Sequence, residues 1–119
     1  MIDTTSQTAI LARLLDAASL RNEVIAHNVA NVNTPGHQCL TVQFEDAFAQ
    51  ALSSGDSTRA LHVTPEVIPG GGGTTRADGN NVDIDMEMNR LAKNSLLYEF
   101  CAQVMAVQIA QQRSAIQGR

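Results

Sequence analysis

The chain has 119 residues, 44% of them hydrophobic but only 3% aromatic, with a formal net charge of -4. Such a length holds one folding unit, and the acidic balance with eight scattered Lys and Arg residues excludes a nucleic-acid surface, which needs clustered cations against phosphates. Alanine supplies much of the apolar quota and buries little surface, so large side chains for a dense core are few.

The opening stretch MIDTTSQTAI has neither the cationic segment nor the continuous apolar segment of a cleavable secretory signal, and none is expected. From residue 9 to 32 the positions Leu11, Leu15, Ala18, Asn22, Ile25, Val29 and Val32 alternate at spacings of four and three. That alternation predicts one long amphipathic helix with a narrow seam. Ala17, Leu14 and Val24 widen its apolar stripe, while Arg13, Asp16, Arg21 and Glu23 lie where water reaches them. Asn22 on the seam is either a register-fixing polar residue or a tolerated one.

The helix pattern ends in NVANVNTPG at 28–36, which crowds Asn28, Asn31, Asn33, Thr34, Pro35 and Gly36 together. Asn31, Asn33 and Thr34 can satisfy the last helical carbonyls and start a turn, Pro35 forbids continuation, and Gly36 permits a positive φ. The cluster ends one helix and re-aims the chain. As an exposed turn with polar groups to spare, it is also a candidate docking point for neighbouring subunits.

Residues 33–82 change character. VQFEDAFAQAL suits one short helix and LHVTPEV at best a short strand, and the remainder is rich in turn formers. The glycines at 70–73 lose much backbone freedom on ordering, so the composition predicts a flexible middle segment unless something packs on them. A second, longer helix is predicted over 83–117, with a seam of Ile84, Met88, Leu91, Ser95, Tyr98, Ala102, Met105, Ile109, Gln112 and Ile116. Asp83, Asp85 and Glu87 suit its N-terminal turn and Gly118 its stop.

Leu96, Leu97, Phe100, Cys101 and Val104 add apolar surface beyond that seam, which calls for more than one neighbour. The fold class expected is mainly α: two long terminal amphipathic helices forming a coiled-coil-like pair in a single unit of 1–119. Its surplus apolar faces are expected to be covered by helices of other chains. No apolar run approaches the roughly 18 residues of a spanning helix, because Glu99 and Gln103 interrupt LLYEFCAQVMAVQIA.

Chemistry-bearing patterns are sparse. His27, His37, Cys39 and His62 match no common zinc spacing, GGGG lacks the Lys-Ser/Thr of a phosphate loop, and no GxSxG elbow occurs. DIDMEM is interrupted by Ile84, Met86 and Met88 where a calcium loop needs oxygen ligands, so it reads better as a helix start. Met86, Met88 and Met105 sit at helical spacing that serves core and interface alike. Cys39 and Cys101 are two thiols rather than a disulfide framework. No catalytic, metal or cofactor site is expected.

AHNVANVNTPGHQC at 26–39 resembles the N-terminal signature of the bacterial flagellar axial proteins, the subunits of rod, hook and hook-filament junction. Their usual form is close to A-N-N-(I/L)-A-N-x-x-T-P-G-(Y/F). Asn28, Asn31, Thr34, Pro35 and Gly36 fit it, Val29 stands in for Ile or Leu, and His27 and His37 depart from it. QFEDAFAQAL, DGNNVDIDMEMNRLAKNSLLYE at 78–99 and the closing RSAIQGR are similar to the shortest, proximal rod subunits of that family.

The resemblance implies a structural, non-enzymatic subunit of the basal-body rod that self-assembles through its terminal helices into a hollow shaft. It implies as partners copies of the chain, other rod subunits, the membrane-ring base and the export apparatus, and export through the flagellar type III route without a cleaved signal. The alternative weighed is a small helical adaptor or export-associated binding protein that never enters a shaft, suggested by the acidic surface and the surplus apolar faces.

Overall fold

The computed structural model describes residues 4–118. The reading of 1–119 as one unit and of the opening stretch as carrying no leader both take in positions outside those residues. The element order is α1 (Thr4–Ala30), β1 (Leu40–Gln43), α2 (Glu45–Ser53), α3 (Ser57–Leu61), β2 (Glu66–Pro69) and α4 (Ile84–Gln117). The two long helices lie antiparallel side by side. Thr8 at one end of α1 meets Gln108, Ala18 and Asn22 meet Asn94, and Asn28 at the other end meets Glu87. The helical rise makes α4 alone about 51 Å long, and the molecule extends 64 × 29 × 14 Å.

Helix α4 starts where its sequence says it should. Asp83 has extended backbone geometry and accepts hydrogen bonds from the N–H groups of Asp85 and Met86, which no earlier helical carbonyl could satisfy. Gly118, at φ 69°, ends it in the left-handed conformation. Helix α1 stops at Ala30, two residues before the expected Val32, because the Asn31 side chain turns back to donate to the His27 carbonyl at 2.8 Å.

Two faces of α1 are covered. One, containing Ala18 and Ile25, lies against α4. The other carries Ala17 into the small core formed with Phe44, Phe48, Ala51 and Ala60, onto which Ile10, Leu14, Leu52 and Val63 pack. The Phe44 and Phe48 rings stack at 4.9 Å. Arg13 donates to the Leu61 carbonyl at 2.6 Å and Arg21 to Glu45 at 2.5 Å, which ties α1 to the α2–α3 segment.

The seam of α4 differs in phase from the predicted one. Facing α1 are Glu87, Asn94 and Cys101, all buried, with half-buried Leu91, Met105 and Gln108 between and beyond them. Of the residues expected in the seam, Ile84, Met88, Ser95, Tyr98, Ile109 and Ile116 are exposed, as are Leu96, Phe100 and Val107 outside it. The physical reason is that polar residues hold the intramolecular contact through side-chain hydrogen bonds. Assigning every apolar position to that contact rotates the seam away from them.

The predicted flexible middle has a defined path. β1 and β2 pair antiparallel, with Leu40 opposite Pro69 and Gln43 opposite Glu66. Proline fits there because Leu40 spends its own N–H and C=O on Asn28, so that pair needs no donor from position 69. The Gly70 N–H donates to the Cys39 carbonyl and that of Gly73 to the Asn81 carbonyl, each at 2.9 Å. A Cβ at Gly72 would stand 2.5 Å from the Asn81 side chain and 2.8 Å from its carbonyl oxygen, so only glycine fits this approach. Flexibility was expected unless something packed on the glycines, and Arg90, Asn81 and Asp83 lie against Gly71, Gly72 and Gly73. Among the described residues no helix is long and apolar enough to cross a membrane.

Candidate functional site

The turn at 31–36 is half of a clasp whose other half, DGNNVD at 78–83, lies immediately before α4. Thr34 N–H donates to the Asn31 carbonyl and the Thr34 hydroxyl to the Asn31 side-chain oxygen, closing the turn on itself. Gly36, at φ 75°, then aims its N–H at the Asp78 carbonyl, 2.8 Å away. A side chain would be strained in that conformation although the space around it is open.

Asn80, fully buried, joins the halves. Its Nδ2 donates to the carbonyls of Asn31 and Thr34, both at 2.8 Å, and its Oδ1 accepts from the Val82 N–H at 2.8 Å. Arg76 adds a bridge by donating to the carbonyls of Val32 and Val82. Gln38 donates to the Gly79 carbonyl at 2.8 Å, and Cys39 N–H to the Asn81 side chain at 2.7 Å. The last carbonyls of α1 are satisfied locally, those of His27, Asn28 and Val29 by Asn31 and Val32, whereas the turn carbonyls of Asn31, Val32 and Thr34 are satisfied by side chains distant in sequence, a solution that local turn chemistry does not reveal.

Beneath the clasp lies a buried polar group. Asn28 exchanges two hydrogen bonds with the Leu40 backbone, at 2.8 and 3.0 Å, as a neighbouring strand would, and donates to Glu87 Oε2 at 3.1 Å. Glu87 is 1% exposed and forms an ion pair with Arg90, whose guanidinium rests against Gly71. The Cys39 thiol donates to Glu87 Oε1 at 3.4 Å. Burial first and the adjacent carboxylate second push that thiol up from 9.0 to about 11, so it is held neutral and is a poor nucleophile. Burial also raises Cys101. The His27 and His37 rings approach to 5.3 Å, and His37 Nε2 is buried without a hydrogen-bond partner.

The structure divides the sequence-predicted site residues. Asn28 is buried and acts inside the molecule, and Asn31 is half-buried and does the same. Asn33, Thr34, Pro35 and Gly36 are exposed on the outside of the corner. On the helices, Ile25 is buried, and Leu11, Leu15, Val29, Leu91 and Met105 are half-buried, whereas Ile84, Met88, Tyr98 and Ile109 face outward.

Sequence reasoning missed Arg76, Asn80, Glu87, Arg90 and Asn94. A signal existed, since Asn80, Glu87, Asn94, Cys101 and Gln108 recur every seven residues, polar at all but one position. What the arrangement accomplishes is mechanical: it fixes the corner between α1 and α4 while leaving the turn tip and two apolar flanks of α4 outside.

Residues 14–38, which contain the turn, match the family model described as flagella basal body rod protein. The chain is 32% identical over 112 residues to the flagellar basal body rod protein FlgB of Borrelia hermsii, covering 79% of this chain and 83% of that one. It is 30% identical over 98 residues to FlgB of Bacillus subtilis, covering 75% and 76%, and 29% identical over 120 residues to FlgB of Escherichia coli, covering 87% of each. These matches cover 75–87% of the chain, and the chain belongs to the FlgB family of flagellar basal body rod proteins.

Proposed function

We propose that the chain is a structural subunit of the flagellar basal-body rod, placed in its proximal part, and that it assembles through its two terminal helices into the hollow drive shaft. The observation that carries this reading is the outward apolar surface of α4: Leu96 is 69% exposed, Phe100 65%, Val107 56% and Ile116 86%. Large apolar side chains concentrated along one helix mark a protein-protein contact. Leu96, Phe100 and Val107 share one face of α4, and the exposed Ile84, Met88 and Ile109 lie on the other side of the seam to α1, so one subunit offers two different surfaces. Unlike surfaces joined head to tail build rings or helical tubes rather than closed pairs.

The partners proposed are copies of the chain, the neighbouring rod subunits and the membrane-ring base, reached by way of the type III export apparatus without a cleaved signal peptide. The role is structural, not catalytic. The exposed tip at Asn33, Thr34 and Pro35 is proposed as a further docking point between subunits, held rigid from below by Asn80.

Fractionation tests the proposal. Basal bodies purified from motile cells that produce the chain are expected to retain it after detergent and salt extraction. Recovery only in the soluble cytoplasmic fraction of those cells would reject the rod role and favour the adaptor alternative.

A further inference from the structure

The contact between α1 and α4 is built with the polar row of α4, although that helix has more apolar residues available than polar ones in its middle. Asn94 is 3% exposed; its Nδ2 donates to the Ala18 carbonyl and to Asn22 Oδ1, both at 2.7 Å, and its Oδ1 accepts from Arg21 at 3.4 Å. One turn pair further along, Glu87 receives Asn28. The partners that Asn94 and Glu87 take across the helix contact come from α1, and each of those bonds exists in one register only.

We infer that this row is a register lock: it selects α1 of the same chain as the partner of that face of α4, at one fixed offset, and thereby keeps the two apolar flanks free for other chains. The last clause rests on the rod role proposed above; the lock itself does not. A slip of one heptad, about 10 Å along the axis, sets Asn94 opposite Leu15 in one direction or Val29 in the other. Either way a buried amide loses its partners, which an all-apolar seam would not penalise. Apolar seams tolerate neighbouring registers, and a single buried Asn is known to remove that tolerance at some cost in stability.

The protein supplies its own ruler. In the observed register position 8 faces position 108, since the Thr8 hydroxyl and Gln108 Oε1 lie 3.4 Å apart. After a slip of one heptad, position 8 faces Cys101 instead. In dilute purified Thr8→Cys/Gln108→Cys protein under mild oxidation, the intramolecular 8–108 link is expected to exceed the 8–101 link by about tenfold or more, read by peptide mapping of the monomer band.

In the same background Asn22→Leu/Asn94→Leu is expected to raise the 8–101 share about tenfold. Leu15→Asn/Asn22→Leu, which moves the partner of Asn94 by one heptad, is expected to raise it further. If the first variant loses its helical circular dichroism, the second alone decides. An unchanged link ratio in every variant that folds overturns the lock. The ratio is read in the isolated chain, so its failure is distinct from failure to enter basal bodies.

Discussion

Replacing Asn80 with Ala removes the central bolt of the clasp. Asn80 makes three side-chain hydrogen bonds of 2.8 Å, to the carbonyls of Asn31 and Thr34 and from the N–H of Val82. Val82 is 1% exposed, so its N–H is left without water or partner, at about 1–3 kcal/mol. The two carbonyls lie nearer the surface, where water can enter the vacated space, and lose about 0.5–1 kcal/mol each. The sum is about 3 kcal/mol against opening of the corner, roughly a hundredfold in the opening equilibrium.

Amide hydrogen exchange on the isolated chain measures this locally, without requiring one cooperative melt. In Asn80→Ala the protection of Gly36 and Leu40 amides is expected to fall about a hundredfold. Both report on the clasp, Gly36 by donating to Asp78 and Leu40 by donating to Asn28. Asn33→Ala, at an exposed position of the same turn, is expected to change them by less than about twofold. A fall of under about threefold in Asn80→Ala would refute the assignment of the corner to this side chain.

Three further outcomes follow from the geometry. Gly36→Ala forces a side chain into φ 75° with no steric contact nearby, so it should destabilise the corner by about 1–2 kcal/mol and reduce motility, while Pro35→Ala alone does less; swimming assays and hydrogen exchange check both. Phe100→Ala should leave the isolated chain within about 0.5 kcal/mol of its original stability but lower incorporation into basal bodies, by about 2 kcal/mol of lost burial. Cys39, raised to about 11 from 9.0, favours the folded state fully below pH 9; that contribution is lost as pH rises toward 11, because the unfolded chain releases the proton first. Thiol alkylation at pH 8 should accordingly be slow until denaturant is added, and stability should decline between pH 9 and 11.

The sequence announces three of the four long-helix ends because capping is local chemistry, and misses the start of α1, which lies at Thr4 rather than residue 9. Asp83 and Gly118 act where their residue types predict, and the asparagines near residue 30 stop α1 within two residues of expectation. The seam of α1 was legible through Ala18 and Ile25. The seam of α4 was not, because periodicity of apolar residues locates an apolar face without saying what covers it. Here Glu87 and Asn94 take the intramolecular face, and Phe100 and Val107 are turned outward.

The strands were read only in part, LHVTPEV overlapping the start of β2 and LTVQ passing unmarked, for another reason. LTVQ and EVIP are four residues each, and Pro69 looks like a breaker until Asn28 is seen to supply what the ladder lacks. For the site, the turn formers at 31–36 were readable, but their partners Arg76 and Asn80 are more than forty residues away. A pairing of that kind is a property of the folded chain.

The central claim is that the apolar flanks of α4 are covered by other chains and not by the molecule itself. A density map of an intact basal body with this chain traced tests it most directly. Leu96, Phe100 and Val107 are expected to be enclosed by side chains of adjacent subunits, with the α1–α4 contact still running through Asn94 and Glu87. A map in which those three side chains face open solvent or the channel, or fold back onto their own chain, would contradict it.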